Sequence, residues 1–375
     1  MSLVVTTDRD ARFMRRALEL AERGRGLTSP NPMVGAVVIS GDTVVGEGFH
    51  ERAGGPHAEI LALAAAGARS RGATLYVTLE PCSHHGRTPP CAPAVIAAGP
   101  ARVVAALADP NPLVSGRGLA ALREAGIPVT EGVLAEEAAR QNRAFVTAMR
   151  LGRPHVTLKA ATTLDGRIAD IHGESKWITS ADARGTAHRL RSEMDAIVVG
   201  IGTVLRDDPA LTVRLDRPWP REPYRVVLDT RARTPTDARV IGAATGARAL
   251  VFVGESADPA RTAALTAAGA TVIAVPVRAG RIDLQAMLAA LATREVRAVL
   301  VEGGAEVHGA FLDAALVDRV AFFLAPRLLG GRGATAAVGG EGSPLKSAPR
   351  LTATEVTRLG DDVLIEGDIE RADGK

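Results

Sequence analysis

The sequence predicts an α/β chain of two domains, on three observations. Its 375 residues exceed what one hydrophobic core usually accommodates. Strand-like and helix-like patterns alternate through the first 151 residues. The alternation then restarts after the Gly-Arg-Pro at 152–154, which sets the expected domains at 1–151 and 152–375.

The first domain opens on "RFMRRALELAERG", whose apolar residues recur at helical spacing. "PMVGAVVIS" and "DTVVGEGFH" read as adjacent strands across a short Gly-Asp turn. A helix "HAEILALAAAGARS", a strand "ATLYVTLE", a helix "APAVIAAG" and a strand "RVVAALAD" follow. Then come a helix "GLAALREAG" and a strand "IPVTEGVL", and "AEEAARQNRAFVTAMRLG" reads as one long closing helix. Such alternation implies a largely parallel sheet with helices on its faces. In the second domain, strands are expected at "HVTLKAAT", "DAIVVGIG", "YRVVLDT", "RALVFVG", "ATVIAVPV" and "RAVLVEGG". Helices are expected near 181–193, 259–269 and 283–294. The tail "TATEVTRLGDDVLIEGDIE" reads as two strands around a Gly-Asp-Asp turn.

Composition excludes several function classes. Acids and bases are interspersed and nearly balanced, at a net charge of +3, with no block of like charges to serve as a nucleic-acid arm. Aromatic residues make up only 3%, which leaves few platforms for stacking bases. No uninterrupted apolar stretch is long enough to span a bilayer. The N-terminus lacks a basic start followed by an apolar run and cleavage site. A cytoplasmic protein without nucleic-acid or membrane partners is expected. In that compartment the only two cysteines, Cys82 and Cys91, point to metal binding or redox chemistry rather than to a disulfide.

Those cysteines frame the polar stretch "CSHHGRTPPC", just after a strand. His57 and Glu59 stand in "PHAEI", at the start of an expected helix. One imidazole and two thiolates make three zinc ligands and leave the fourth position open, as in catalytic zinc sites. A zinc so held brings the pKa of water toward neutrality. Glu59, two residues from the histidine, is placed to take the proton from water and pass it to a leaving amine. Isolated His and Cys residues are usually unconnected, but H-x-E followed by P-C and a later C is the zinc deaminase pattern. By these residues the chain resembles the cytidine deaminase-like superfamily. A zinc-stabilised scaffold is the bland alternative; it has no need of a carboxylate beside a ligand. A nucleic-acid deaminase shares the motif, but fits poorly with the scarce aromatics.

The cysteine spacing discriminates further. Cys82 and Cys91 stand nine positions apart instead of the three of C-x-x-C. With "TSPNPMVGAVV", "GFHERAGGPHAE" and "ADPNPLVSGRGL", this longer loop resembles the deaminase half of the bifunctional riboflavin-biosynthesis deaminase–reductase family. The resemblance implies a three-layer α/β/α deaminase domain acting on a diaminopyrimidinone that carries ribosylamine 5-phosphate. A phosphate calls for cationic and hydrogen-bonding groups. His84 and Arg87 in the insert are candidates for that role, and Asn31 and His50 for the pyrimidine edge and nearby phosphate.

The second domain has neither a G-x-G-x-x-G at a strand end nor a Walker lysine. "PHVTLKAATTLDGRIAD", "GESKWITS", "RLRSEMDAIVVGIGTVLRDDPALTVR", "VVLDTRARTP" and "VLVEGGAEVHGAFL" together resemble the dihydrofolate reductase-like half of the same family. At "LVEGG", glycine amides and the start of the next helix could approach a pyrophosphate. Trp177 could pack on a nicotinamide or plug a core, and Arg191 and Arg214 could clamp a phosphate. The resemblance implies cofactor contacts at Ala161, Trp177, Thr203, Asp207 and Thr230. It adds a run from Gly304 through Ala305, Glu306, Val307, His308 and Gly309 to Ala310. It implies substrate contacts at Ser175, Arg191, Leu211, Arg214 and Glu302, with Lys159 near the sugar. The expected chemistry is hydride transfer from NADPH to the ring-opened ribosyl imine. No acidic residue marks an NAD-type ribose site, so the choice of NADPH rests on the resemblance. A homo-oligomer is expected.

Overall fold

The structure is a computed structural model that describes residues 7–84, 89–112, 114–242 and 248–370. The chain folds as two compact units, Met1–Gly152 and Arg153–Lys375.

The first unit is built in chain order from α1 (Asp8–Glu22), β1 (Gly35–Ser40), β2 (Thr43–Phe49), α2 (Ala58–Ala66), β3 (Thr74–Val77) and α3 (Cys91–Ala98). It continues with β4 (Arg102–Ala105), α4 (Arg117–Glu124), β5 (Val129–Glu131), α5 (Ala135–Gln141) and α6 (Arg143–Leu151). The sheet order is β2-β1-β3-β4-β5. β1 runs antiparallel to both neighbours, while β3, β4 and β5 are parallel. Side chains of a strand alternate between faces, and here the alternation sorts the core. Ala36 and Val38 pack with α2, α3 and α4, whereas Val37 and Ile39 pack with α1 and α5. The unit is therefore three layers, α/β/α. Two glycines of β2 bring α2 close: a Cβ at Gly46 would lie 2.2 Å from the Ala62 carbonyl oxygen, and one at Gly48 would lie 2.6 Å from that of Ala58.

The expected single helix over 135–152 is two helices broken at Asn142. The Asn142 side chain brackets the backbone of Met33, accepting from its N–H at 2.7 Å and donating to its carbonyl at 2.8 Å. The residue turns out of the helix at φ −101°, ψ 24°. A tertiary bond of this kind overrides helical propensity.

The second unit runs through β6 (His155–Thr163), β7 (Arg167–Ala169), α7 (Ala181–Ser192), β8 (Ala196–Gly200), α8 (Ile201–Asp207), β9 (Tyr224–Leu228) and α9 (Arg239–Gly242). Next come β10 (Ala249–Gly254), α10 (Pro259–Ala267), β11 (Thr271–Val275), the small hairpin β12 (Val277–Arg278) and β13 (Arg281–Ile282), and α11 (Leu284–Ala292). The unit closes with β14 (Ala298–Gly303), α12 (Ala305–Asp313), β15 (Arg319–Ala325), β16 (Thr335–Ala336), β17 (Leu351–Leu359) and β18 (Asp362–Ile369). Nine strands form one sheet in the order β11-β10-β9-β8-β14-β6-β15-β18-β17. Seven are parallel, and the terminal hairpin β17–β18 is antiparallel. α11 and α12 bury one face through Met287, Leu288 and Phe311; α7 covers part of the other through Ala183 and Leu190. α8 begins directly after β8, where the strand reading had continued through Gly202. The apolar run of β15, between β6 and β18, was not anticipated.

Candidate active sites

His57 is the N-cap of α2 and Glu59 lies in its first turn. Cys82 follows β3, and Cys91 is the first residue of α3. The Ala92 amide donates to the Cys82 carbonyl at 3.1 Å, and the Cys91 amide lies 3.3 Å from the Cys82 sulfur. These bonds hold the two cysteines together at the start of α3. His57 Nδ1 stands 3.1 Å from Cys91 Sγ and 3.5 Å from Cys82 Sγ. All three donor atoms lie within 4.8 Å of one another. Hydrogen bonding from Cys91 holds the Cys82 thiol down to about 4, and the same bond, with burial, pushes Cys91 up. Burial of Glu59 raises its carboxyl to about 7, and its Oε2 has no hydrogen-bond partner among the described residues. A buried acceptor without a partner is costly. Beside an imidazole and two thiols, it fits a His-Cys-Cys zinc site.

His50 is buried with its ring edge-on to His57, at 5.3 Å between centroids. Its Nδ1 lies 3.0 Å from the Pro56 carbonyl and its Nε2 3.1 Å from Asn31 Nδ2. These contacts suit one neutral tautomer, with Nδ1–H donating and Nε2 accepting. Burial lowers the His50 pKa and favours that neutral form. His84 is half-buried, with Nδ1 unpartnered among the described residues. Arg87 lies outside the described residues.

Sequence reasoning missed two carboxylates here. Glu80 is buried and gathers a loop: Oε2 accepts from the amides of Asp109 and Gly116 at 3.0 and 2.9 Å, and Oε1 from that of Gly118 at 2.8 Å. A Cβ at Gly118 would lie 1.9 Å from the Pro81 carbonyl oxygen, so only glycine lets the first turn of α4 approach Pro81 this closely. Asp109, in the same loop, is pushed up to about 6 by burial, with the charges of Glu80 and Cys82 adding to the rise.

In the second unit a cleft of about 500 Å³ opens among β6, α7, α8 and the start of α12. Lys159 lines it, half-buried, and desolvation lowers its pKa. Arg191 makes a two-pronged ion pair with Glu302, at 2.6 and 2.7 Å, and donates to the Thr212 carbonyl at 3.1 Å. Burial alone would raise the Glu302 carboxyl, but the charges of Arg191 and Lys159 hold it at about 2. Arg191 is thus committed to a carboxylate and does not present a bare phosphate clamp; Arg214, also on the cleft wall, pairs with no carboxylate among the described residues.

Ala161, Ser175, Thr203 and Asp207 line the cleft, as do Gly304, Ala305, Glu306, Val307 and His308. Ser175 donates to Asp207 at 3.3 Å. Trp177 is 62% exposed on the cleft rim, with the Arg184 guanidinium 4.5 Å from its ring, so it plugs no core. Four expected residues lie off the cleft lining. Leu211 is buried, and Thr230 follows β9, its carbonyl taken by the Gly254 amide. Gly309 packs against Gly339, 2.3 Å from where its Cβ would be, and Ala310 follows it along α12. At the helix start, Gly304 has φ 76° and no capping side chain. Cβ atoms at Gly200 and Gly303 would each come within 2.7 Å of a valine. This leaves a bare backbone cradle at a helix N-terminus, which fits the pyrophosphate of a dinucleotide.

The chain matches two family models: the RibD C-terminal domain over residues 154–365, and the cytidine and deoxycytidylate deaminase zinc-binding region over residues 7–107. It is 45% identical over 354 residues to the riboflavin biosynthesis protein RibD of Bacillus amyloliquefaciens, covering 94% of each chain. It is 44% identical over 372 residues to RibD of Escherichia coli, covering 95% of this chain and 98% of that one. Acinetobacter baumannii RibD superposes with a TM-score of 0.88 at 38% identity, covering 97% of this chain and 99% of that one. The Thermotoga maritima structure described as a diaminohydroxyphosphoribosylaminopyrimidine deaminase and 5-amino-6-(5-phosphoribosylamino)uracil reductase superposes with a TM-score of 0.84 at 38% identity, over 96% of this chain and 99% of that one.

Proposed function

The chain belongs to the RibD family of riboflavin biosynthesis proteins, and from that premise we propose how its residues divide two consecutive reactions. It is a bifunctional enzyme. The deaminase removes an amine hydrolytically from diaminohydroxyphosphoribosylaminopyrimidine, and the reductase converts the ribosyl group of 5-amino-6-(5-phosphoribosylamino)uracil to ribityl with NADPH.

We assign deamination to the first unit. Zinc, held by His57, Cys82 and Cys91, supplies Lewis-acid activation of water. Glu59 moves the proton, taking it from water and giving it to the departing amine. Its burial, which raises the carboxyl above the usual carboxylate range, lets it hold a proton as well as take one. His50 and Asn31 hold each other beside His57, and we assign them to the pyrimidine edge. His84 and Arg87 are assigned to the ribose phosphate.

Reduction falls to the second unit. NADPH supplies the hydride when bound. The Gly304 backbone and the start of α12 receive its pyrophosphate, with Ala161, Trp177, Thr203 and Asp207 along the same cleft. Arg191 keeps Glu302 ionised and aimed at Lys159, a pair suited to the sugar hydroxyls. Ser175 and Arg214 complete the substrate side, and Arg214 takes the phosphate.

We also place the protein in the cytoplasm, where Cys82 and Cys91, both free thiols, stay reduced and open to zinc. Among the described residues no helix is long and apolar enough to cross a membrane. A homo-oligomer belongs to the same proposal. Among the described residues β17 ends the large sheet with one edge unpaired and Val356 68% exposed, and such edges are commonly covered.

The observation that carries the reading is the His57–Cys82–Cys91 triangle against a buried Glu59 oxygen that has no partner among the described residues. The test is incubation with the diaminopyrimidine substrate, with and without NADPH, followed by mass spectrometry. Exchange of an amine for oxygen without NADPH, and added hydrogen only with it, is the expected outcome. Reduction without prior deamination would overturn the order.

A further inference from the structure

Residues 208–223 carry no regular element, yet two residues of α7 pin them. Arg191 donates to the Thr212 carbonyl at 3.1 Å. One turn earlier, His188 meets Arg214 twice: Nε2 lies 3.2 Å from the guanidinium Nε, and Nδ1 lies 3.3 Å from the backbone N. His188 and Arg214 both line the reductase cleft.

The chemistry of the ring decides what this contact can be. A neutral imidazole has one bare nitrogen, whichever tautomer it adopts, and the imidazolium has none. Both Arg214 groups facing the ring are donors, so the neutral ring accepts from one of them, at its bare nitrogen, and the imidazolium accepts from neither; with Nε2 bare, the acceptor faces the guanidinium. Burial, then the charges of Arg191 and Arg214, push His188 down to about 4. Arg214 stands near two further guanidiniums, Arg191 and Arg239, whose charges oppose its own. With no carboxylate paired to it among the described residues, an anion in the cleft is the partner that would relieve this repulsion.

We propose that His188 is a positioning residue of the reductase, a neutral acceptor that aims the Arg214 guanidinium into the cleft and thereby sets selectivity for a phosphorylated substrate. The inference rests on the reading of Arg214 as the phosphate partner. Its role is distinct from that of Arg191, whose fork is spent on Glu302.

The experiment measures NADPH-dependent reduction of the deaminated intermediate and of its dephosphorylated form, and takes the ratio of the two kcat/KM values. Arg214→Ala should lower that ratio by roughly 10–100-fold, the loss of a charge-assisted contact. His188→Ala should lower it by about 10-fold, with the KM for NADPH unmoved, and the double variant should fall no further than Arg214→Ala. His188→Gln, whose amide oxygen can accept, should recover part of the ratio. Should His188→Ala fail to fold, His188→Phe, which keeps the ring volume without an acceptor, decides in its place. A ratio unchanged in the His188 variants but lowered in Arg214→Ala overturns the positioning role and leaves the phosphate reading standing. Additive losses in the double variant also overturn it. A ratio unchanged in Arg214→Ala overturns the phosphate reading, and the positioning role with it.

Discussion

At the scale of single residues, position and environment decide chemistry. Glu59 and Glu302 are both buried carboxylates, yet burial raises one to about 7 while two cations hold the other at about 2. The first is suited to carry protons and the second to stay charged. Glu59→Gln should therefore keep its zinc, measured by metal analysis, and lose deamination by at least about 100-fold. Zinc loss matching that of Cys82→Ala would mean the role is misassigned. Arg191→Met strips Glu302 of its fork inside the protein, and should destabilise the second unit by about 3–5 kcal/mol in denaturant unfolding. Glu302 has a depressed folded pKa, so the contribution of its ionised form is complete above its ordinary value of 4.5 and fades as the pH falls toward about 2. The gap between wild type and Arg191→Met should shrink over that window. A gap that widens in acid would contradict the ion pair. That His57, Cys82 and Cys91 come together beside Glu59 could be anticipated because H-x-E and P-C fix residue type and spacing together. Glu80 could not be, because its partners are backbone amides some thirty residues along the chain, and amides leave no trace in side-chain identity. The His188–Arg214 contact was hidden for a similar reason: it depends on where an irregular segment crosses a helix.

Among elements, the strand–helix alternation was readable wherever apolar residues kept one period. It failed where a long-range bond or a close approach intervened. Asn142 sits in a stretch of good helix formers, and only its grip on Met33 breaks the helix. Asn142→Ala should cost about 1–3 kcal/mol, read from the unfolding midpoint of the deaminase transition, since it leaves the Met33 amide and carbonyl without partners. No change in midpoint would mean that the break has another cause. The glycines of β2 set how closely α2, which carries Glu59 and begins at His57, approaches the sheet. Gly48→Ala places a methyl 2.6 Å from the Ala58 carbonyl oxygen and Ala62 nitrogen, and must shift the helix. Zinc content and deamination should fall together while NADPH-dependent reduction persists. Normal deamination in that variant would show that α2 tolerates displacement. The missed β15 is a different failure: its apolar run between a helix and a polar loop suits a buried strand or a helix segment equally.

For the whole molecule, the contacts divide at Gly152, next to where a second strand–helix series begins in the sequence. The activities follow this division in our account. The deaminase residues lie between Asn31 and Cys91 and the reductase residues between Lys159 and Ala310, so no residue is shared. Removing zinc with a chelator should then abolish deamination and leave reduction of the deaminated intermediate intact. The measurement that tests this most directly is the product formed when Glu59→Gln is given 5-amino-6-(5-phosphoribosylamino)uracil and NADPH. The ribityl compound should form at the wild-type rate, from an enzyme that cannot deaminate. Failure of the folded, zinc-loaded variant to form it would mean that the two reactions share one active centre.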